Sequence, residues 1–142
     1  MPLRMHKIQV WTGEIPDRAG AAAAQLELLA RAGADLEFVF TRPIANQPDK
    51  VAIFLAPIQG NEQLEAARLA GLAPARDIAM VCVEGENRSG IGYKIMSRLA
   101  IAGINLRGLS ISAVSERFAA YLAFDHADVA TQAIQVLAGL DG

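Results

Sequence analysis

One cysteine, Cys82, stands in 142 residues, which excludes an intramolecular disulfide and any cysteine-built zinc cage. Charge of either sign is scarce. Charged residues make up 20% of the chain and the formal net charge is −2. The basic patch that marks a nucleic-acid module is therefore missing. No stretch of about 18 residues is free of charge, as a membrane-crossing helix requires; Arg76 and Asp77 break the apolar run from Leu72 to Val83. The start of the chain scatters Arg4, His6, Lys7 and Gln9 among apolar residues, without the basic-then-apolar order of a signal peptide. These absences predict a cytoplasmic protein that binds neither nucleic acid nor membrane.

What is present is apolar. Hydrophobic residues account for 53% of the sequence and 27 residues are alanine, a composition opposite to that of disordered chains. Counted with glycine and without tyrosine, the apolar share is about 60%, against a usual ~45–50%. A chain of this length is ordinarily one domain, so the surplus needs an explanation.

A repeat supplies one. Shifted by 70 positions, Ile8 meets Ile78, Glu14 meets Glu84, Arg18 meets Arg88 and Gly20 meets Gly90. Leu29, Ala30, Ala32, Gly33 and Leu36 meet Leu99, Ala100, Ala102, Gly103 and Leu106, and Phe54 meets Phe124 with no gap. Seven of the twenty positions 17–36 are identical in the second copy. Alanine abundance cannot by itself produce the paired Arg-x-Gly and Ala-Gly-x-x-Leu patterns.

Each copy reads as β-α-β-β-α. The first strands are Ile8 to Thr12 and Ile78 to Val83. Polar loops follow, and then helices with Ala22, Leu26, Leu29 and Gly33 on one face, matched by Gly92, Met96, Leu99 and Gly103. Gly33 and Gly103 fall where a helix C-terminus favours positive φ. The next strands are Leu36 to Arg42 and Leu106 to Val114, turned at Asn46–Asp49 and Ser115–Glu116 into Val51–Ala56 and Phe118–Phe124. The last helices span Asn61–Leu69, with Asn61 as an N-cap candidate, and Ala127–Leu137. The domains expected are 1–72 and 73–142, each α+β with an antiparallel sheet and helices on one face. Units of about 70 residues are marginal in core size, so they must bury surface on each other and on a second chain. A homodimer is expected.

The loop and helix residues resemble the ACT domain, a small ferredoxin-like regulatory module. The pattern occurs twice: Asp17-Arg-Ala-Gly20 with Ala32-Gly-Ala-Asp-Leu36, and Asn87-Arg-Ser-Gly90 with Ala102-Gly-Ile-Asn-Leu106. The resemblance covers about residues 5–140 and is to a stand-alone tandem ACT protein. It implies a βαββαβ fold, binding of an amino acid or similar small metabolite at an interdomain or intersubunit crevice, and a signal passed to a partner enzyme or transporter. Two departures stand out. Ala19 and Ser89 occupy the place where the family commonly has proline, and neither copy shows room for a final strand. Each unit therefore has three strands or borrows one.

The resemblance places ligand between the loop and a neighbouring domain's second-strand start. The matching positions are Asn87, Arg88, Ser89, Gly90, Ile91 and Asn105 in the second copy, and Asp17, Arg18, Gly20 and Asp35 in the first. The chemistry fits a free amino acid. Backbone N–H groups at a helix start suit a carboxylate, glycine permits close approach, and asparagine both donates and accepts. Plainer roles compete: Asp17 and Asn87 as N-caps, Gly20 and Gly90 as tight-turn residues, Arg18 and Arg88 paired with Glu14 and Glu84. A second function is a protein–protein regulatory subunit whose ligand sites have degenerated.

Other chemistry finds no footing. Gly90-Ile-Gly92 lacks the third small residue of a dinucleotide fingerprint, since position 95 is Ile. His6 and His126 have no metal-ligand partner at helical spacing, Cys82 lies in an apolar strand, and no nucleophile–base constellation has a local signature. No enzyme, cofactor or metal is expected.

Overall fold

The computed structural model describes residues 2–140. The chain forms β1 (Arg4–Ile8), β2 (Trp11–Pro16), α1 (Ala21–Arg31), β3 (Phe38–Ile44), β4 (Gln47–Ala56), α2 (Asn61–Leu69) and β5 (Ala73–Pro74). It continues through β6 (Ala79–Glu86), α3 (Ile91–Ile101), β7 (Gly108–Val114), β8 (Arg117–Phe124) and α4 (Ala127–Leu137). Two compact units result. The first is Gln9–Ala75; the second joins the stretch through Ile8 to the chain from Arg76 onward.

Each unit is a four-stranded antiparallel sheet, ordered β3-β4-β2-β5 in the first and β1-β6-β8-β7 in the second. Both follow one plan: the first and third strands are central, the second is an outer strand, and a fourth lies beside the first. The fourth strands have different origins. In the first unit β5 pairs Trp11 with Pro74 and Thr12 with Ala73. In the second, β1 fills that place, from Arg4 opposite Glu84 to Ile8 opposite Met80. The expectation that neither copy has room for a final strand therefore fails in the first unit, where Ala73–Pro74 supplies a short one; the second unit borrows its own.

This corrects two expectations. The division at 72/73 assigns the first eight residues to the first domain, whereas their hydrogen bonds lie in the second unit's sheet. Ile8 to Thr12 is not one strand either. The chain leaves β1 at Gln9–Val10, where Val10 is 1% exposed and its carbonyl accepts the Ala75 N–H at 2.8 Å.

The helices form where propensity and termination signals agree. Four alanines open α1, the residue type that helices favour most. Gly33 and Gly103 end α1 and α3 with φ of 79° and 74°. The N–H groups of Ala34 and Ile104 then return to the Leu29 and Leu99 carbonyls at 3.0 and 2.9 Å. That six-to-one closure is the Schellman arrangement, and it needs the left-handed residue in the middle. Gly60, with φ 85°, precedes α2, so Asn61 is its first helical residue rather than its cap.

The buried helix faces share Leu29 and Leu99 with the predicted stripes but lie one position earlier over the first two turns. α1 buries Ala21, Gln25 and Leu29, and α3 buries Ile91, Ile95 and Leu99. A polar residue at 25 disguises the true face of α1. Gln25 is 6% exposed; its amide nitrogen donates to the Ala70 carbonyl at 3.0 Å, tying α1 to the end of α2. Ile53, Leu55, Leu29 and Ala67 close the first core; Val81, Val83, Ile95, Leu99, Leu122 and Phe124 belong to the second.

The cores also refine the repeat. Pro43 pairs with Val51, enclosing seven residues, whereas Ala113 pairs with Phe118 and encloses four. The second hairpin is three residues shorter, so the structural offset is 70 through β3 and 67 beyond it. Phe54 consequently matches Tyr121, and its identity with Phe124 is coincidental. Phe54 pairs with Thr12 and Tyr121 with Cys82, whereas Phe124 belongs to the helix-side core.

Gly13 takes the place of Val83 because a side chain has no room there. A Cβ at residue 13 would stand 2.8 Å from the Gly71 carbonyl oxygen and 3.1 Å from Leu72 Cδ2. Backbone cannot yield as a side chain can. Gly13→Ala should destabilise the first unit by about 1–3 kcal/mol, read as a lowered urea midpoint for probes in residues 9–75.

Candidate functional site

In the second unit β6 ends at Glu86, and Asn87, Arg88, Ser89 and Gly90 lead exposed into α3. Gly90 is the N-cap residue, left-handed at φ 84°, and no side chain caps the helix. The Asn87 N–H donates to the Glu116 carbonyl at 2.7 Å, anchoring the loop to the β7–β8 hairpin. The Ile91 N–H turns back to the Arg88 carbonyl at 3.2 Å, and the Lys94 N–H bonds to the Gly90 carbonyl at 3.0 Å. Helical geometry leaves the Gly92 and Tyr93 N–H groups at the open end of α3. Ile91 is 5% exposed, so it anchors the helix in the core rather than facing a ligand.

The first unit repeats the arrangement. Gly20 has φ 89°, the Asp17 N–H donates to the Asp49 carbonyl at 2.9 Å, and the Ala24 N–H bonds to the Gly20 carbonyl at 3.0 Å. The alternative that Asp17 and Asn87 cap the helices fails in both copies, because glycines occupy the caps. Close-approach space is present as well as a tight turn: a Cβ at Gly20 or Gly90 would meet nothing within 4 Å.

The expected arginine pairs are redistributed. Arg88 Nη2 lies 3.4 Å from Glu86, Glu84 pairs with Arg4 at 3.2 Å, and Glu14 pairs with Lys50 at 3.5 Å. Alternation explains the first two, since residues 84 and 86 share a sheet face while β1 brings Arg4 opposite Glu84. The resolved pKa perturbations lie elsewhere, on α2. There the Arg68 hydrogen bond holds the Glu65 carboxyl below its usual range, and Glu65 raises the Arg68 guanidinium.

Asp35 and Asn105 are exposed and follow α1 and α3, immediately before Leu36 and Leu106. Within a unit they do not meet the loop. The 11 residues of α3 separate Asn87–Gly90 from Asn105 by about 16 Å at 1.5 Å per residue. Asp17–Gly20 and Asp35 are divided in the same way by α1. The structure therefore assembles the loop half of each predicted set and leaves the strand-start half at the other helix end. Residue-level reading missed the hairpin carbonyls of Asp49 and Glu116 that hold the loops, because a backbone acceptor across a sheet leaves no signal in side-chain identity.

No protein-family model and no curated protein matches the sequence. Solved structures do match. Protein BT0572 from Bacteroides thetaiotaomicron superposes with a TM-score of 0.76 at 12% identity, over 92% of this chain and 88% of that one. The ligand-free regulatory subunit of aspartate kinase from Thermus thermophilus gives a TM-score of 0.63 at 20% identity, covering 96% and 97%. That subunit from Thermus flavus gives 0.58 at 20% identity, covering 95% of each chain. At these identities the likeness is one of fold. That fold, two consecutive α+β units, is shared along nearly the whole length with both regulatory subunits. Among the described residues no helix is long and apolar enough to cross a membrane.

The left-handed glycine invites a direct test. Gly90→Ala meets no steric obstacle, so its cost should be the backbone penalty alone, about 1–2 kcal/mol. Gly90→Asn should cost less, since asparagine tolerates this region. Chemical denaturation of the two variants measures the difference.

Proposed function

We propose that this chain is a non-enzymatic regulatory sensor that binds a free amino acid or a closely related metabolite at the second unit's loop and relays occupancy to a partner enzyme or transporter. The observation that carries the reading is the twice-built loop, with an uncapped 11-residue helix start behind a left-handed glycine that leaves open space. The ligand carboxylate takes the α3 backbone N–H groups, where the helix dipole favours an anion. Asn87 supplies both a donor and an acceptor, so the ammonium end finds an oxygen without an added charge. Gly90 keeps the approach clear, and Arg88 and Ser89 rim the loop.

Asn105 completes the set from a second copy, because its own loop lies a helix length away. A homodimer is thus part of the proposal. The first unit is the poorer site. Its equivalents of Asn87 and Asn105 are Asp17 and Asp35, which accept hydrogen bonds but donate none when ionised, and two carboxylates repel a ligand carboxylate. That substitution also favours a second reading for the first unit, a partner-binding surface whose ligand site has lapsed. Co-purification of one enzyme or transporter at fixed stoichiometry, insensitive to metabolites, would mark it.

Thermal-shift measurement against the twenty amino acids tests the ligand reading. A true ligand at 100 times its dissociation constant should add about 2.7 kcal/mol of stability. Asn87→Ala and Asn105→Ala should each remove the shift, while Asp17→Ala should keep it. If no amino acid at millimolar concentration raises the melting temperature, the reading is wrong.

A further inference from the structure

Within the second unit β1 does more than widen the sheet: it sets a histidine against the chain's single cysteine. His6 is the register partner of Cys82. Residues directly opposite on antiparallel strands share a face, with Cβ atoms about 4.5–5.5 Å apart. A His6 ring nitrogen and the Cys82 Sγ lie within 4.8 Å of each other. Their face is the one away from the helices, since Val81 and Val83, on either side of Cys82, belong to the helix-side core. Cys82 is 2% exposed and Met80, the next residue along that face, 6%. His6 is exposed. A buried thiol, a buried thioether and an open imidazole therefore share one short stretch of sheet.

The fold does not demand this grouping. At the equivalent crossing in the first unit Thr12 stands opposite Ala73. The histidine reaches the cysteine only because the second unit borrows its fourth strand from the N-terminus. Helical spacing gives His6 no ligand partner; strand pairing supplies one.

We propose that His6 and Cys82 bind one soft monovalent cation, Cu(I), between imidazole nitrogen and thiolate sulfur. Thiolate and thioether ligands select Cu(I), and imidazole suits copper as well. Metal–nitrogen and metal–sulfur bonds of about 2.0 and 2.3 Å, the lengths zinc makes, sum to about 4.3 Å. An ion lying between the two donors thus fits their separation. Charge then selects the ion. One neutral imidazole, one thiolate and Cu(I) sum to zero, which a buried position tolerates. Zn²⁺ beside a single thiolate keeps a positive charge and asks for four ligands, where this pair offers two. Mg²⁺ and Ca²⁺ take oxygen ligands instead. On binding, the Sγ–H bond breaks, its proton passes to solvent, and the sulfur electron pair forms the bond to copper. Copper stays monovalent and no electron is transferred. Met80 keeps the surroundings soft and dry, and the exposed His6 is the side from which the ion enters. The pair lies about 16 Å along the strand direction from Asn87, at ~3.3 Å per residue, so the metal site stands whether or not the α3 loop binds an amino acid.

Anaerobic titration of the full chain against Cu(I) held by bicinchoninate tests the site. The native protein should withdraw one equivalent and develop a thiolate-to-copper band in the ultraviolet. X-ray absorption should find both sulfur and imidazole nitrogen at bonding distance from the copper. His6→Ala alters an exposed side chain, and it should weaken binding by about a hundredfold or more, the upper range for losing even a residue that merely orients a ligand. Cys82→Ser should abolish the band; should that variant fail to fold, His6→Ala decides. His126→Ala, at the other histidine, should bind as the native chain does. A native chain that leaves the copper with bicinchoninate, a His6→Ala variant that holds it as tightly as the native protein, or displacement of Cu(I) by equimolar Zn²⁺ would overturn the assignment.

Discussion

Antiparallel hydrogen bonding between β1 and β6 decides the shape of the second unit. A sheet of this order needs a strand beside its first one, and the chain meets that need with residues from its N-terminus rather than from the end of the repeat. Pairing from Arg4–Glu84 to Ile8–Met80 covers one side of β6 and leaves β7 as the outer strand on the other flank. The first unit reaches the same width with the two residues of β5. The borrowed strand is the longer of the two, at five residues, and it makes the second unit discontinuous in sequence. The site loop follows directly from β6, so its position depends on the strand that this pairing holds in place.

Much of the architecture was legible because it is local. The last helices of both copies have their predicted bounds, Asn61–Leu69 and Ala127–Leu137, since amphipathic periodicity and flanking turn residues act over a few positions. Gly33 and Gly103 were readable for the same reason. The origin of the fourth strand was not, because β1 and β6 lie more than seventy positions apart and short alternating segments give no hint of their partner. The shift from 70 to 67 in the repeat was hidden by a chance match of Phe54 with Phe124; only pairing across the hairpins reveals which phenylalanine faces the core. Gln25 misled in another way. Its burial depends on one carbonyl, that of Ala70, which no pattern in α1 discloses.

The candidate site was half legible. Loop, glycine and helix start are consecutive, so sequence spacing brings them together, and the structure places both glycines in the left-handed region. Asn105 is nearby in sequence yet a helix length away in space. The α3 helix lies between them, so Asn87 and Asn105 do not meet within one unit.

Divergence between the copies follows the same division. At matched positions the second unit has Asn87, Asn105, Ile111 and Ile101 where the first has Asp17, Asp35, Thr41 and Arg31. Every one of these changes makes the second unit less charged or more apolar, and all four positions are exposed or flank the outer strand. Inside the fold the direction is the same, Val83 matching Gly13 and Ile95 matching Gln25, and each first-unit residue there answers a particular neighbour, the Gly71 and Ala70 carbonyls. Core differences are thus explained by packing within a unit, and at the surface Arg31 has a local partner too, Glu27 at 3.5 Å on its own helix. Duplication supplied two equivalent loops and two equivalent outer strands, and the residues at both have since diverged.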